Sequence, residues 1–99
     1  MWYAIVAHDH ESSLEARYRA RPEHLQRLKA LQEEGRLLLA GPFPAIEATD
    51  PGASGFTGSL IVAEFPSLTS ARAWAEDDPY QHAGVYQRID IRPFRKTLP

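Results

Sequence analysis

Leu60-Ile61-Val62-Ala63-Glu64-Phe65-Pro66-Ser67-Leu68-Thr69-Ser70-Ala71-Arg72-Ala73-Trp74-Ala75-Glu76-Asp77-Asp78-Pro79 carries a strand, a stop, a cap, a helix and a second stop without interruption. Leu60-Ile61-Val62-Ala63 has strand composition. The strand, read from Phe56 to Phe65, closes at Pro66, which cannot donate to a sheet ladder. Ser67 stands where a helix cap belongs. Leu68, Ala71, Trp74 and Ala75 then recur at three- and four-residue spacing and give the helix one apolar face. The Asp78-Pro79 step ends it, because proline disfavours helical geometry in the residue before it. A strand followed by an amphipathic helix needs a further strand to pack against, and Val85 to Phe94 supplies one.

The first half of the chain repeats that plan without repeating the sequence. Trp2 to Ala7 is aromatic and β-branched, and it ends in the polar turn His8-Asp9-His10. Ser12 or Ser13 to Arg19 reads as a short helix that Pro22 cannot continue. Pro22 therefore opens a second helix through Glu34, with Leu25, Leu28 and Leu31 on one side and Gly35 as its stop. Arg36 to Gly41 reads as a strand closed by Pro42. Pro44, Pro51, Gly52 and Gly55 mark the following stretch as a loop or open hairpin. The order strand-helix-strand-strand-helix-strand predicts a single α+β domain over residues 1–99. The expected architecture is a ferredoxin-like βαββαβ antiparallel sheet with both helices on one face.

That arrangement leaves the second face of the sheet uncovered. At 99 residues the chain buries a smaller share of its surface than a larger domain, and without cysteine it has neither disulfides nor thiolate metal sites to add. A second copy of the chain is the remaining supplement, and two such sheets face to face would make a dimeric α+β barrel. A homodimer, with a larger homo-oligomer also open, is thus the expected partner state. A formal net charge of -2 gives no attraction to phosphate backbones, so nucleic acid is not expected as a partner. The longest apolar runs, such as Leu37-Leu38-Leu39-Ala40, are far below the roughly 20 residues of a membrane span, and no basic and apolar leader precedes Trp2. A cytoplasmic protein that does not touch membranes is the expectation.

Among residues that could carry chemistry, His24 is third in the helix opened by Pro22, where unpaired backbone N–H groups favour a neutral imidazole. Its spacing to Leu28 and Leu31 turns it toward the sheet. Asp78 follows the carbonyl end of the second helix, where nothing local stabilises a carboxylate, so it needs a cation or a donor. Each has a plain structural alternative: a core-edge histidine bonded to a carbonyl, and a helix stop. Spacing does not choose between Asp78 and Asp77. The topology lets the start of one helix approach the end of the other. A carboxylate on one imidazole nitrogen would fix the tautomer and leave the second nitrogen for substrate, which is general acid/base logic. No cysteine and no Gly-x-Ser-x-Gly turn supplies a nucleophile.

Arg17, Arg19 and Arg21, with Tyr18 between them, could receive an anionic substrate or form a solvated rim, and Arg21 is best placed for the former. His8-Asp9-His10 lacks the wider ligand set a metal needs, so no metal and no cofactor are expected, and His82 reads as surface.

One ordered series of motifs runs almost end to end. It comprises Arg21-Pro22-Glu23-His24-Leu25, Gly35-Arg36-Leu37-Leu38, Ala40-Gly41-Pro42, Gly55-Phe56-Thr57-Gly58-Ser59, Ala63-Glu64-Phe65, Asp78-Pro79-Tyr80 and Gly84-Val85-Tyr86. The series resembles the YCII-related family. The resemblance implies a ferredoxin-like fold, a dimeric α+β barrel and a site built on a histidine and an aspartate, which fall on His24 and Asp78. The Asp-Pro step is what selects Asp78 over Asp77. The same motifs imply pocket positions at Gly41, Ser59 and Tyr80. Relatives of the family include dehydrochlorinases of chlorinated aromatics, and muconolactone isomerases share the barrel. The implied function is a small cofactor-independent lyase, dehydrochlorinase or isomerase acting on a cyclic or aromatic metabolite, with Arg21 holding an anionic group. The alternative is a non-catalytic, metabolite-binding dimeric module.

Overall fold

Tyr3, Ile5 and Ala7 are buried on alternate positions of β1 (Trp2–Asp9), and the face they define is the one the helices cover. The computed structural model describes all residues from Met1 to Pro99. After β1 come α1 (Leu14–Glu33), β2 (Leu37–Pro44), β3 (Phe56–Glu64), α2 (Leu68–Glu76), a short α3 (Pro79–His82) and β4 (Tyr86–Phe94). The strands lie in the order β2-β3-β1-β4 and every neighbouring pair is antiparallel. This is the ferredoxin-like α+β fold that the strand and helix order predicts.

Register explains where the core sits. Ile5 lies opposite Ile61 on one side and Ile91 on the other, so one row of isoleucines crosses three strands. Leu28 and Leu31 of α1 and Ala71 and Ala75 of α2 pack onto that row together with Tyr3 and Phe65. The small Ala71 and Ala75 let α2 lie close to the sheet, and its cap is the expected one, with Ser67 Oγ accepting from Ser70 N–H at 3.1 Å.

Three details differ from the sequence reading. First, α1 does not restart at Pro22. It is one helix with Pro22 in its interior. Pro22 and Tyr18, whose carbonyl loses its helical partner, are both exposed, so water can replace the missing bond. The opposite face, through Arg17, His24, Leu28 and Leu31, is buried and holds the two turns in line. Second, β2 continues through Pro42 to Pro44. It is an edge strand, where a missing N–H can face solvent. The loop proper therefore begins at Ala45 and includes one 3₁₀ turn at Gly52–Ser54. Third, the Asp78-Pro79 step both ends α2 and opens α3, with Pro79 at the first helical position.

The other face of the sheet has no helix over it. Leu39 and Phe43 of β2, opposite Val62 and Gly58, lie on this face and are exposed. Toward the other edge it becomes polar, with His8 bonded to Asp90 at 3.0 Å beside Arg88. No helix is long and apolar enough to cross a membrane.

Candidate acid/base site

Because α1 is continuous, His24 is not at a helix start and has no free backbone N–H groups around it. It sits in the middle of the helix, 6% exposed, over the junction of α2 and α3. Asp78 comes from that junction and is 1% exposed. The two meet directly: His24 Nδ1 lies 2.8 Å from Asp78 Oδ1 and 3.0 Å from Oδ2. A carboxylate accepts, so Nδ1 carries the proton and donates to it. In the neutral ring Nε2 is then the nitrogen with a lone pair. It makes no hydrogen bond within the protein, and His24 borders a cavity of about 340 Å³ between α1, β2, β3 and the Ala45–Gly55 loop.

The carboxylate of Asp78 is well supplied with donors, contrary to the expectation that nothing local would stabilise it. It caps α3, accepting from Tyr80 N–H at 2.8 Å, and Arg27 Nη1 lies 3.5 Å from Oδ2. Arg27 is itself held by a bond to the Trp74 carbonyl at 2.9 Å, with its guanidinium carbon 4.4 Å from the Trp74 ring centroid. Asp77 does something else. It is exposed and pairs with His82 at 3.0 Å, and that bond, followed by the charge of Arg27, holds its carboxyl below the usual value of 3.8.

Tyr80 completes the support of the imidazole. Its ring stacks on His24 with centroids 3.9 Å apart and planes 8° from parallel, which fixes the plane in which Nε2 points. Burial pushes the Tyr80 phenol above its ordinary value, and the charges of Arg17 and Arg21 act in the opposite direction. On its far edge Tyr80 meets Tyr86 at 85°, and Ala7, Tyr80, Val85 and Tyr86 form a second small core under the site.

Of the residues picked out in the sequence, Arg21, His24, Gly41, Ser59 and Tyr80 all border the cavity, and Asp78 stands behind His24. Gly41 and Ser59 lie inside β2 and β3 and not at strand ends. Arg21 is exposed at the cavity mouth and has no ion-pair partner within the protein. Both arginines border the cavity, and they differ in burial. Arg17 is the buried arginine, 5% exposed. Its Nε and Nη2 donate to the two oxygens of Asp9 at 2.7 and 3.0 Å, and Nη2 also reaches the Gly58 carbonyl and Ser59 Oγ, both at 2.9 Å. Asp9, read as part of a polar turn, is a fully buried carboxylate that also accepts from Ser13 Oγ at 2.7 Å. A signal for Arg17 does exist. Residues 17, 24, 28 and 31 share one helical face, but the break assumed at Pro22 hid that relation.

A buried imidazole with one nitrogen tied to a carboxylate, bordering a cavity on a ferredoxin-like sheet, is a candidate acid/base site. The model of the YCII-related domain matches residues 1–95, and the chain belongs to that family. Protein YciI of Escherichia coli O6:H1 is 56% identical over 98 residues, covering 99% of this chain and 100% of its own. An uncharacterised protein of Haemophilus influenzae is 50% identical with the same coverage. Among solved structures, the chain is similar to 5-chloro-2-hydroxyhydroquinone dehydrochlorinase from Burkholderia phenoliruptrix AC1100, in complex with 2,5-dihydroxybenzoquinone. The TM-score is 0.83 at 24% identity, covering 96% of this chain and 94% of that one, which is a likeness of fold.

Proposed function

We propose that this protein is a small cofactor-independent enzyme in which His24, held by Asp78, moves a proton on a cyclic or aromatic metabolite in lyase, dehydrochlorinase or isomerase chemistry. The observation that carries the reading is the Nδ1 bond to Asp78, which leaves a lone pair on Nε2 beside a cavity large enough for a single-ring molecule. The fold shared with a dehydrochlorinase of chlorinated hydroxyhydroquinones supports the choice of substrate. Ser59 and Tyr80 shape the cavity, Arg21 stands where an anionic group enters, and Gly41 presents backbone without side chain. We further propose that the uncovered sheet face pairs with a second copy.

Turnover of chlorinated hydroxyhydroquinones and small cyclic lactones is the test, followed through chloride release and ultraviolet spectra. Loss of a positioned general base costs about 10²- to 10⁴-fold, and His24→Ala should fall in that range. Asp78→Asn should lose activity too, because an amide can turn its NH₂ to Nδ1 and favour the wrong tautomer. Unchanged turnover in both variants would overturn the reading.

A second reading has an observation of its own. Asp78 also caps α3 and faces Arg27, which a purely structural carboxylate would do. In that case the protein is a metabolite-binding dimer, and ligands that raise its melting temperature would never be altered by it.

A further inference from the structure

Arg17 is assigned no part in the chemistry proposed above, yet its geometry is unusual for a structural arginine. A guanidinium this deeply buried normally spends all its donors on the protein. Here Nε and Nη2 are spent on Asp9, the Gly58 carbonyl and Ser59 Oγ, while Nη1 makes no hydrogen bond and Arg17 borders the same cavity as His24. The group cannot swing away. The Asp9 fork grips one edge, and the rings of Phe56 and Tyr80 lie 5.4 and 5.1 Å from its central carbon. Tyr80 is also the ring that stacks on His24, so the fixed donor and the free imidazole nitrogen flank one aromatic side chain. Ser59, accepting from Arg17, keeps its own hydrogen to donate.

Charge narrows what this donor can serve. Asp9 neutralises Arg17 in place, Asp78 stands behind His24, and the cavity-lining Asp50 accepts from Gly52 N–H at 3.1 Å. Of the two arginines lining the cavity, Arg21 at the mouth is the one without a carboxylate. The cavity therefore has oriented donors without a large excess of positive charge. That suits a single developing oxyanion and not a phosphate.

We propose that Arg17, with Ser59, is the seat of the substrate oxygen that becomes negative as His24 takes a proton, and that the substrate is a planar phenol, enol or cyclic ketone. Nε2 takes the proton from a C–H beside a carbonyl, or from an O–H. From a C–H, the pair of the broken bond forms a carbon–carbon double bond and the carbonyl π pair passes to oxygen; from an O–H, the pair stays on oxygen. In both cases the Arg17 N–H donates to that oxygen. The proton-transfer step rests on the acid/base reading of His24, whereas the binding of the oxyanion does not.

The test is therefore an equilibrium one, with 4-nitrophenol as a non-reacting probe whose anion is coloured. Bound to the wild-type protein it should ionise at least one pH unit lower than free, a tenfold preference for the phenolate. His24→Gln should keep that preference, so that loss of turnover and loss of oxyanion binding are told apart. Asp9→Asn/Arg17→Gln, which removes both buried charges together, should abolish it, and Ser59→Ala should reduce it. Inorganic phosphate should not compete. The proposal fails if the wild type does not bind the phenol, or if bound phenol ionises no lower than free. It fails equally if phosphate displaces the phenol, or if the preference follows His24. The wild-type and His24→Gln titrations decide the matter even where the double variant does not fold.

Discussion

His24 and Tyr86 show how differently two buried polar side chains can be placed. The imidazole has both a partner and a free nitrogen, whereas the buried Tyr86 hydroxyl makes no hydrogen bond of good geometry. An unpaired buried hydroxyl loses its water and gains nothing in return. Tyr86→Phe should therefore leave stability at neutral pH unchanged or raise it by up to about 1 kcal/mol, by urea unfolding. Burial, with the charge of Asp78 second, also pushes the Tyr86 phenol above its ordinary value of 10.0. The folded state then keeps its proton longer than the unfolded state does. Stability is intact below pH 10.0 and falls as pH rises beyond it. Tyr86→Phe should flatten that alkaline limb, and a limb as steep as the wild type's would contradict the account. Asp78→Ala is the opposite case. It strips a cap from α3 and leaves the buried His24 Nδ1–H without its acceptor, which should cost roughly 3–5 kcal/mol.

At the scale of elements, two features decide whether the site can form. The first is the unbroken α1, which puts Arg17 and His24 on one face. Pro22→Ala restores an N–H and a better helix former, so it should stabilise the protein by about 1–2 kcal/mol and leave the cavity unchanged. A loss of stability would mean that the proline sets the helix direction. The second is Gly58. A Cβ there would come within 2.1 Å of the Ala7 carbonyl oxygen, and its own carbonyl accepts from Arg17. Gly58→Ala should push β1 and β3 apart, lower the melting temperature strongly and reduce oxyanion binding as well, read by calorimetry and by the nitrophenol titration. The strands, α2 and the pairing of His24 with Asp78 were legible because local pattern and motif carry them. Arg17 and α3 were not. The burial of Arg17 depends on Asp9 and Ser59, which reach it from two strands, and a four-residue helix has no periodicity to read.

For the whole molecule, the unresolved balance lies on the bare sheet face. Leu39 and Phe43 are 46% and 40% exposed there, beside Val62, Val6 and Ala4. A chain of this length gains most by covering such a face, and a second copy offers an equally apolar surface. Light scattering at micromolar concentration should give twice the chain mass, and Leu39→Glu with Phe43→Glu should give the single mass. A wild-type monomer would remove the barrel from the account while leaving the cavity, which lies on the helical side, in place.

The whole reading turns on which nitrogen of His24 carries the proton. Nitrogen-15 NMR of the labelled imidazole at neutral pH reads this directly, since protonated and bare ring nitrogens resonate far apart. The account predicts Nδ1 protonated and Nε2 bare, with the pattern lost in Asp78→Asn. A proton on Nε2 in the wild type, or a pattern indifferent to Asp78, would contradict it.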